Sequence, residues 1–185
     1  MKIRPDDQWR WYFDPEHNRV MLDLANGMVF RSRFSAKMLT DYAMTLEAVS
    51  FSVDDAALFY TFEENARFIP LAPAFKAELA LNAVVALRFM KPQMPKSWYF
   101  SPFSLIAKPE LGQIVQLQLQ ADAAAAAALF MAVDVGDNAS LCLLAQQKLA
   151  LNDRVMHFCD PIKVMNDRMA LYTKPVQSSL YDRAI

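Results

Sequence analysis

The sequence is poor in the residues that most catalytic and nucleotide-binding motifs require. Its 185 residues include 3 glycines and 2 histidines, where average usage of about 7% would give roughly a dozen glycines. Phosphate cradles made of glycine-rich loops are therefore excluded. No serine elbow, HExxH pair or CxxC pattern is present either. We predict that the protein is not an enzyme and has no catalytic, cofactor-binding or metal site.

Cysteine and long apolar runs are also scarce. The 2 cysteines are too few for a disulfide framework, and the opening residues MKIRPDDQWRWYF contain no signal-like apolar stretch. The longest apolar run covers residues 123–133, well below the roughly 18 to 20 residues that a membrane-spanning helix needs. We therefore expect a cytoplasmic protein without membrane insertion.

Neither sign of charge is in excess. The chain has 19 Lys and Arg against 20 Asp and Glu, a formal net charge of −1. General electrostatic attraction to nucleic acid or to anionic membranes is excluded, so any charged partner must be recognised locally. Hydrophobic residues make up 55% of the chain, which is enough for one compact domain or two small ones.

The first third of the chain predicts a β-meander. Two apolar segments, residues 9–13 and 20–24, flank the turn-rich DPEHNR, and Asn26-Gly27 follows as a hairpin signal. In the returning strand Arg31 and Arg33 would share the outward face. The tryptophans of WRWYF share one strand face, which favours core packing over a base-stacking platform.

Helix and strand signals then alternate. Residues 39–48 indicate a short helix, VDDAALFYTF a strand, and Pro73 the first turn of a long helix that runs to about Met90. The following KPQMPKSW interrupts regular structure because it contains two prolines. We read the acidic pairs Asp54-Asp55 and Glu63-Glu64 as solvated side chains.

The second half predicts short antiparallel strands. VQLQLQ alternates with period 2, and LFMAVDV and SLCLLAQ flank a Gly-Asp-Asn turn, with the first of these strands beginning near Ala128. We predict an α+β fold in which an N-terminal α/β domain, residues 1–95, holds β-hairpins plus one long helix. A small antiparallel sheet or barrel, residues 96–174, follows. The tail, residues 175–185, is either disordered or docked in a groove.

Basic and aromatic residues cluster at the junction of these domains. No carboxylate occurs between Glu78 and Glu110. This stretch contains four basic residues and five large aromatic ones: Arg88, Lys91, Lys96, Lys108, Phe89, Trp98, Tyr99, Phe100 and Phe103. Such a surface suits a protein interface, because Arg and Trp are enriched at binding hot spots.

Several motifs resemble the ZapC family of bacterial cell-division proteins. They are WRWYF, VMLDLANGMVFRSRF, VDDAALFYTFEE, KPQMPKSW, SLCLLAQ and IKVMNDR, in that order, and the resemblance runs from Met1 to about Arg168. It implies a monomeric, non-enzymatic factor that binds FtsZ, promotes lateral bundling of FtsZ filaments and stabilises the Z-ring at midcell. It also implies an α/β domain followed by a β-barrel-like domain.

The basic residues within these motifs are the candidate FtsZ contacts. Lys91 and Lys96 of KPQMPKSW, together with Lys163 and Arg168 of IKVMNDR, are expected to form a patch at the domain junction. Secondary candidates for the same role are Arg88, Trp98, Arg31 and Arg33. The two arginines of the meander are favoured as residues that only keep their strand face in solvent.

Two other function classes remain open at the level of sequence. The basic and aromatic surface around residues 88–108 would also suit a small-molecule or single-stranded nucleic-acid binding module. An enzyme would use His157 and Cys159, which would share a face if they lay on one strand. Burial of both cysteines as small hydrophobic residues is the favoured alternative to that enzyme.

Overall fold

The computed structural model describes residues 3–103 and 108–172. It has an α+β fold in which two helices accompany three antiparallel sheets, so the predicted class is confirmed. The predicted tail, residues 175–185, lies outside the described residues.

The N-terminal half begins with the predicted meander. A four-stranded sheet has the order β3-β2-β1-β4, and Gly27, with φ +82°, lies in the turn between β2 and β3. Trp9 and Trp11 are buried, so the tryptophan stripe is core. The strands are β1 (Arg10–Asp14), β2 (Arg19–Asp23), β3 (Val29–Arg31) and β4 (Val49–Ser50).

Residues 53–89 contain two α-helices, where a strand and one long helix were predicted. Helix α2 (Pro73–Phe89) begins at the predicted proline. The strand predicted from VDDAALFYTF is wrong, because these residues lie in helix α1 (Val53–Ala66). Ser52 and Asp55 form a reciprocal capping box at its start. The buried residues of α1 then recur at helical spacing: Asp55, Phe59, Phe62 and Ala66. The predicted short helix shrinks to a 3₁₀ turn, Tyr42–Thr45.

The second half contains the remaining strands. A five-stranded sheet has the order β10-β7-β6-β5-β11, and β8 pairs with β9 in a separate ribbon. The six alanines 123–128 form no helix, and β6 begins at Ala128 as predicted. The strands are β5 (Ile114–Leu117), β6 (Ala128–Val135), β7 (Ala139–Leu144), β8 (Lys148–Ala150), β9 (Val155–His157), β10 (Pro161–Met165) and β11 (Met169–Leu171).

The five-stranded sheet curls strongly but does not close into a hydrogen-bonded barrel. Its edge strands β10 and β11 are separated by three residues, Asn166–Arg168, so the end of β10 and the start of β11 lie within about 14 Å of each other. Residues 96–103, here called the closing segment, connect the edge strand β10 to the end of β5. It donates from Lys96 N to the Lys163 carbonyl at 2.8 Å and from Ser101 N to the Gln118 carbonyl at 2.8 Å.

Helix α2 joins the two halves into one core. It packs against α1 and against β6, and its residues from Leu79 to Ala86 are buried. One apolar cluster includes Trp11 of the first sheet, Val84 of the helix and Met131 of the second sheet. The inner side of the curled sheet forms a second cluster with Phe100 of the closing segment. The surface residues where the two halves meet are therefore held by a closely packed core that both halves share.

Candidate partner-binding surface

Three of the predicted lysines meet where α2 ends. Lys91 and Lys163 line one cleft of about 170 Å³, together with Pro92, Gln93, residues of α2 and β7, and Asp134 near the end of β6. The main chain of Lys96 lies beside Lys163, because Lys96 N donates to the Lys163 carbonyl. Within residues 3–103 and 108–172, none of the three lysines has a carboxylate within salt-bridge distance. Asp134 shares the cleft with Lys91 and Lys163 but forms no ion pair with either, so the lysine charges are unpaired within the described residues.

Arg168 lies at a different cavity. It lines a space of about 350 Å³ whose wall includes Phe103 and Ala170. Its Nη1 donates to Asp167 Oδ1 at 2.7 Å, while its buried Nε has no partner among the described residues. The closing segment links this cavity to the lysine cleft, because Phe103 N donates to the Asp167 carbonyl at 2.7 Å. The predicted patch is therefore two neighbouring sites.

Arg88 is exposed, but its guanidinium is paired with a buried carboxylate. Its Nη1 donates to Asp55 Oδ2 at 2.9 Å, and its guanidinium lies 4.7 Å from the centre of the Phe89 ring. The same carboxylate oxygen accepts from Trp11 Nε1 at 3.0 Å and from Ser52 N at 3.0 Å. The prediction that Asp55 is solvated is wrong, because this side chain is 1% exposed. The S-x-x-D spacing of a capping box was the available signal.

Arg31 and Arg33 are both exposed and alternate with the buried Ser32 and Phe34, as the predicted outward face requires. Arg31 ends β3 and contacts His17 Nε2 at 3.2 Å through Nη2. Arg33 lies beyond the strand, where its Nε donates to Glu78 Oε1 of α2 at 2.5 Å. Its guanidinium also covers the Phe158 ring at 5.2 Å. The hydrogen bond to Glu78 raises the pKa of Arg33, so this charge is already paired within the N-terminal half.

The aromatic residues near the lysines are mostly core. Phe89, Tyr99 and Phe100 are buried, whereas Trp98 is 63% exposed and Phe103 is 48% exposed. A base-stacking platform needs successive exposed rings. The surface anticipated for the nucleic-acid alternative is therefore not formed by these five aromatic residues.

The two cysteines are buried, as the favoured reading predicted. His157 ends β9 on an exposed position, while Cys159 lies beyond the strand with φ +69°. The expected shared face is therefore wrong. Burial raises the pKa of Cys142 to about 12 and that of Cys159 well above its usual range. Neither thiol has the thiolate character that a nucleophile needs.

A group of metal-ligating residue types occurs in the β1–β2 turn. Ligand atoms of Asp14, Glu16 and His17 lie within 4.8 Å of one another. Both ring nitrogens of His17 already have partners, Nδ1 with Asp14 Oδ2 at 2.5 Å and Nε2 with Arg31. A hydrogen-bond network accounts for this cluster.

Among the described helices, none is long and apolar enough to cross a membrane.

Comparison with known proteins assigns the chain to a family. The model for the N-terminal part of cell-division protein ZapC matches residues 2–91, and the model for its C-terminal part matches residues 92–175. Cell division protein ZapC of Xenorhabdus bovienii is 69% identical over 185 residues, covering 100% of both chains. The relatives of the same name from Proteus mirabilis and Musicola paradisiaca are 51% and 52% identical. They cover 100% and 91% of this chain, and 100% and 89% of their own length. The chain belongs to the ZapC family of cell-division proteins.

Proposed function

We propose that this protein acts in cell division as a non-enzymatic, monomeric cytoplasmic factor that binds FtsZ filaments, bundles them and stabilises the Z-ring at midcell. The observation that carries the proposal is the shared cleft of Lys91 and Lys163, with the backbone of Lys96 bonded to Lys163, while none of the three lysines forms an ion pair among the described residues. Family membership supports a role in division. The identity of the partner comes from the family resemblance.

The lysine cleft suits an acidic protein surface. Filaments of like charge repel each other, so a bundling factor must neutralise charge where they approach. Lys91 is exposed, and Lys96 and Lys163 are half-buried, so their stems can pack while their ammonium groups face a partner. A monomer that bridges filaments needs a second contact, and the Arg168 cavity is the candidate for it.

Charge reversal tests the proposal. The triple substitution K91E, K96E and K163E should abolish co-sedimentation with GTP-polymerised FtsZ, because three attractive charges become repulsive. Wild-type co-sedimentation should also weaken as salt rises, since exposed charge pairs are screened. Electron microscopy should show bundles with the wild-type protein and separate filaments with the triple variant.

A matched control separates the lysine cleft from net charge. Arg4, Arg67 and Lys148 are exposed and lie outside the cleft, so R4E, R67E and K148E produce the same change in net charge. This control should co-sediment like the wild type, and both triple variants should keep the wild-type circular dichroism spectrum. A folded cleft variant that still co-sediments normally would refute the assignment of these lysines.

Arg168 deserves a separate variant because it lies at the neighbouring cavity. R168E should preserve binding of single filaments but reduce bundling if the two sites contact different filaments. Bundling by R168E at the wild-type level would remove Arg168 from the proposal while leaving the lysine cleft in place.

A further inference from the structure

We propose that Trp98 is the apolar anchor of the partner contact. Its indole enters an apolar pocket on the surface of the filament protein, and the neighbouring lysines pair with carboxylates around that pocket. This inference rests on the proposed function and adds to it the side chain that dominates the binding energy. The occupant of the surface is thus a protein with an acidic rim around an apolar depression.

Exposure distinguishes Trp98 from the other tryptophans. Trp9 and Trp11 are 3% and 0% exposed, while Trp98 is 63% exposed. Met94, four residues earlier, is 80% exposed. Water-exposed Trp forgoes the burial of a large apolar area, and Trp is enriched at interface hot spots because partners recover that area.

The indole is held outward by a fixed backbone. On one side, Ser97 Oγ accepts from Met165 N at 2.8 Å. On the other, the Tyr99 carbonyl accepts from Gln120 N at 3.0 Å. Both bonds attach the closing segment to the curled sheet. A preorganised anchor loses little conformational freedom when it binds, which favours affinity.

Tyr99 supports the ring of Trp98. The two ring centres lie 5.6 Å apart, and the Tyr99 hydroxyl donates to both carboxylate oxygens of Asp153 at 2.8 and 3.0 Å. Asp153 keeps its negative charge, and Arg154 acts on the same Tyr99 ring with the opposite sign. Lys96, two residues before Trp98 and without an ion pair among the described residues, adds a positive charge to the closing segment, which favours an acidic partner.

Fluorescence tests the inference directly, because the two other tryptophans are buried. Emission of Trp98 is obtained as the difference between the wild type and W98F. On adding GTP-polymerised FtsZ, this difference emission should shift to shorter wavelength, and its quenching by acrylamide should fall several-fold. Normal co-sedimentation with unchanged acrylamide quenching would overturn the anchor and leave the proposed function standing.

Affinity provides the second measurement. W98A should bind the filaments at least about tenfold more weakly. W98F should show a smaller loss of affinity, and both variants should melt at the wild-type temperature. Tyr60, 48% exposed on α1, supplies the matched control Y60A, which should bind normally. Wild-type affinity of W98A overturns the inference. If the wild-type protein itself does not co-sediment, the proposed function fails and the anchor fails with it.

Discussion

The buried carboxylate of Asp55 is expected to be a main determinant of stability. Its Oδ2 accepts three hydrogen bonds, from Trp11 Nε1, Ser52 N and Arg88 Nη1, at 3.0, 3.0 and 2.9 Å. These donors belong to the first sheet, the start of α1 and the end of α2. A single oxygen therefore ties together three elements of the N-terminal half.

The cost of D55A can be worked from these contacts. Trp11 is fully buried, so its indole N–H would lose its partner without reaching water, which costs about 1–3 kcal/mol. Loss of the capping interaction adds about 1 kcal/mol. Arg88 is 29% exposed and can recover water, so its share is smaller. We expect a total of about 4 kcal/mol, within the range for breaking a buried charge pair.

Denaturant and thermal unfolding measure this effect. About 4 kcal/mol corresponds to a fall of roughly 8–16 °C in Tm for a chain of this size. D54A is the matched control, because Asp54 precedes Asp55 and is exposed, and it should change stability by at most about 1 kcal/mol. D55N keeps an acceptor oxygen without the charge and should fall between the two. Equal stability of D55A and D54A would refute the reasoning.

Two further predictions concern titratable groups. Cys142 and Cys159 are buried, and burial raises the pKa of both thiols. Neither thiol should therefore react with Ellman's reagent at pH 8 until the protein is unfolded. Rapid labelling of the native protein would contradict this. The hydrogen bond from His17 lowers the pKa of Asp14, so H17A should raise that pKa towards its ordinary value near 3.9 in a carboxyl NMR titration. Since the native pKa lies below the unfolded one, the stabilisation by this pair is complete above about pH 5 and is lost as pH falls through the native pKa. An unchanged Asp14 titration in H17A would exclude His17 as the cause.

Local signals predicted much of the fold. The Asn26-Gly27 turn, the proline start of α2 and the strand beginning at Ala128 all appear as expected, because turn geometry and helix initiation depend on a few neighbouring residues. The prediction of a strand for residues 53–62 is wrong, because these residues lie in α1. Its aromatic and β-branched residues favour strand, but the cap at Ser52 and the spacing of the buried residues favour helix.

The candidate surface shows the same division. The sequence located Lys91 and Lys96 beside an interrupted, carboxylate-free stretch, and Lys163 and Arg168 within a distant motif. It could not separate Arg168 from the three lysines, since their meeting depends on how the closing segment bridges β10 and the end of β5. Equally, Arg88 looked available because its partner Asp55 lies 33 residues earlier in the chain.

The sequence by itself determined the composition, the fold class and the family resemblance. It has few glycines, balanced charge, an α+β pattern and the motifs of one cell-division family. Those properties depend on neighbouring residues or on sums over the chain, so they can be obtained from the sequence. Only the tertiary structure decided which charges remain free. An ion pair such as Arg33 with Glu78, or the exposure of Trp98 among buried aromatics, depends on long-range packing, which composition and spacing do not encode.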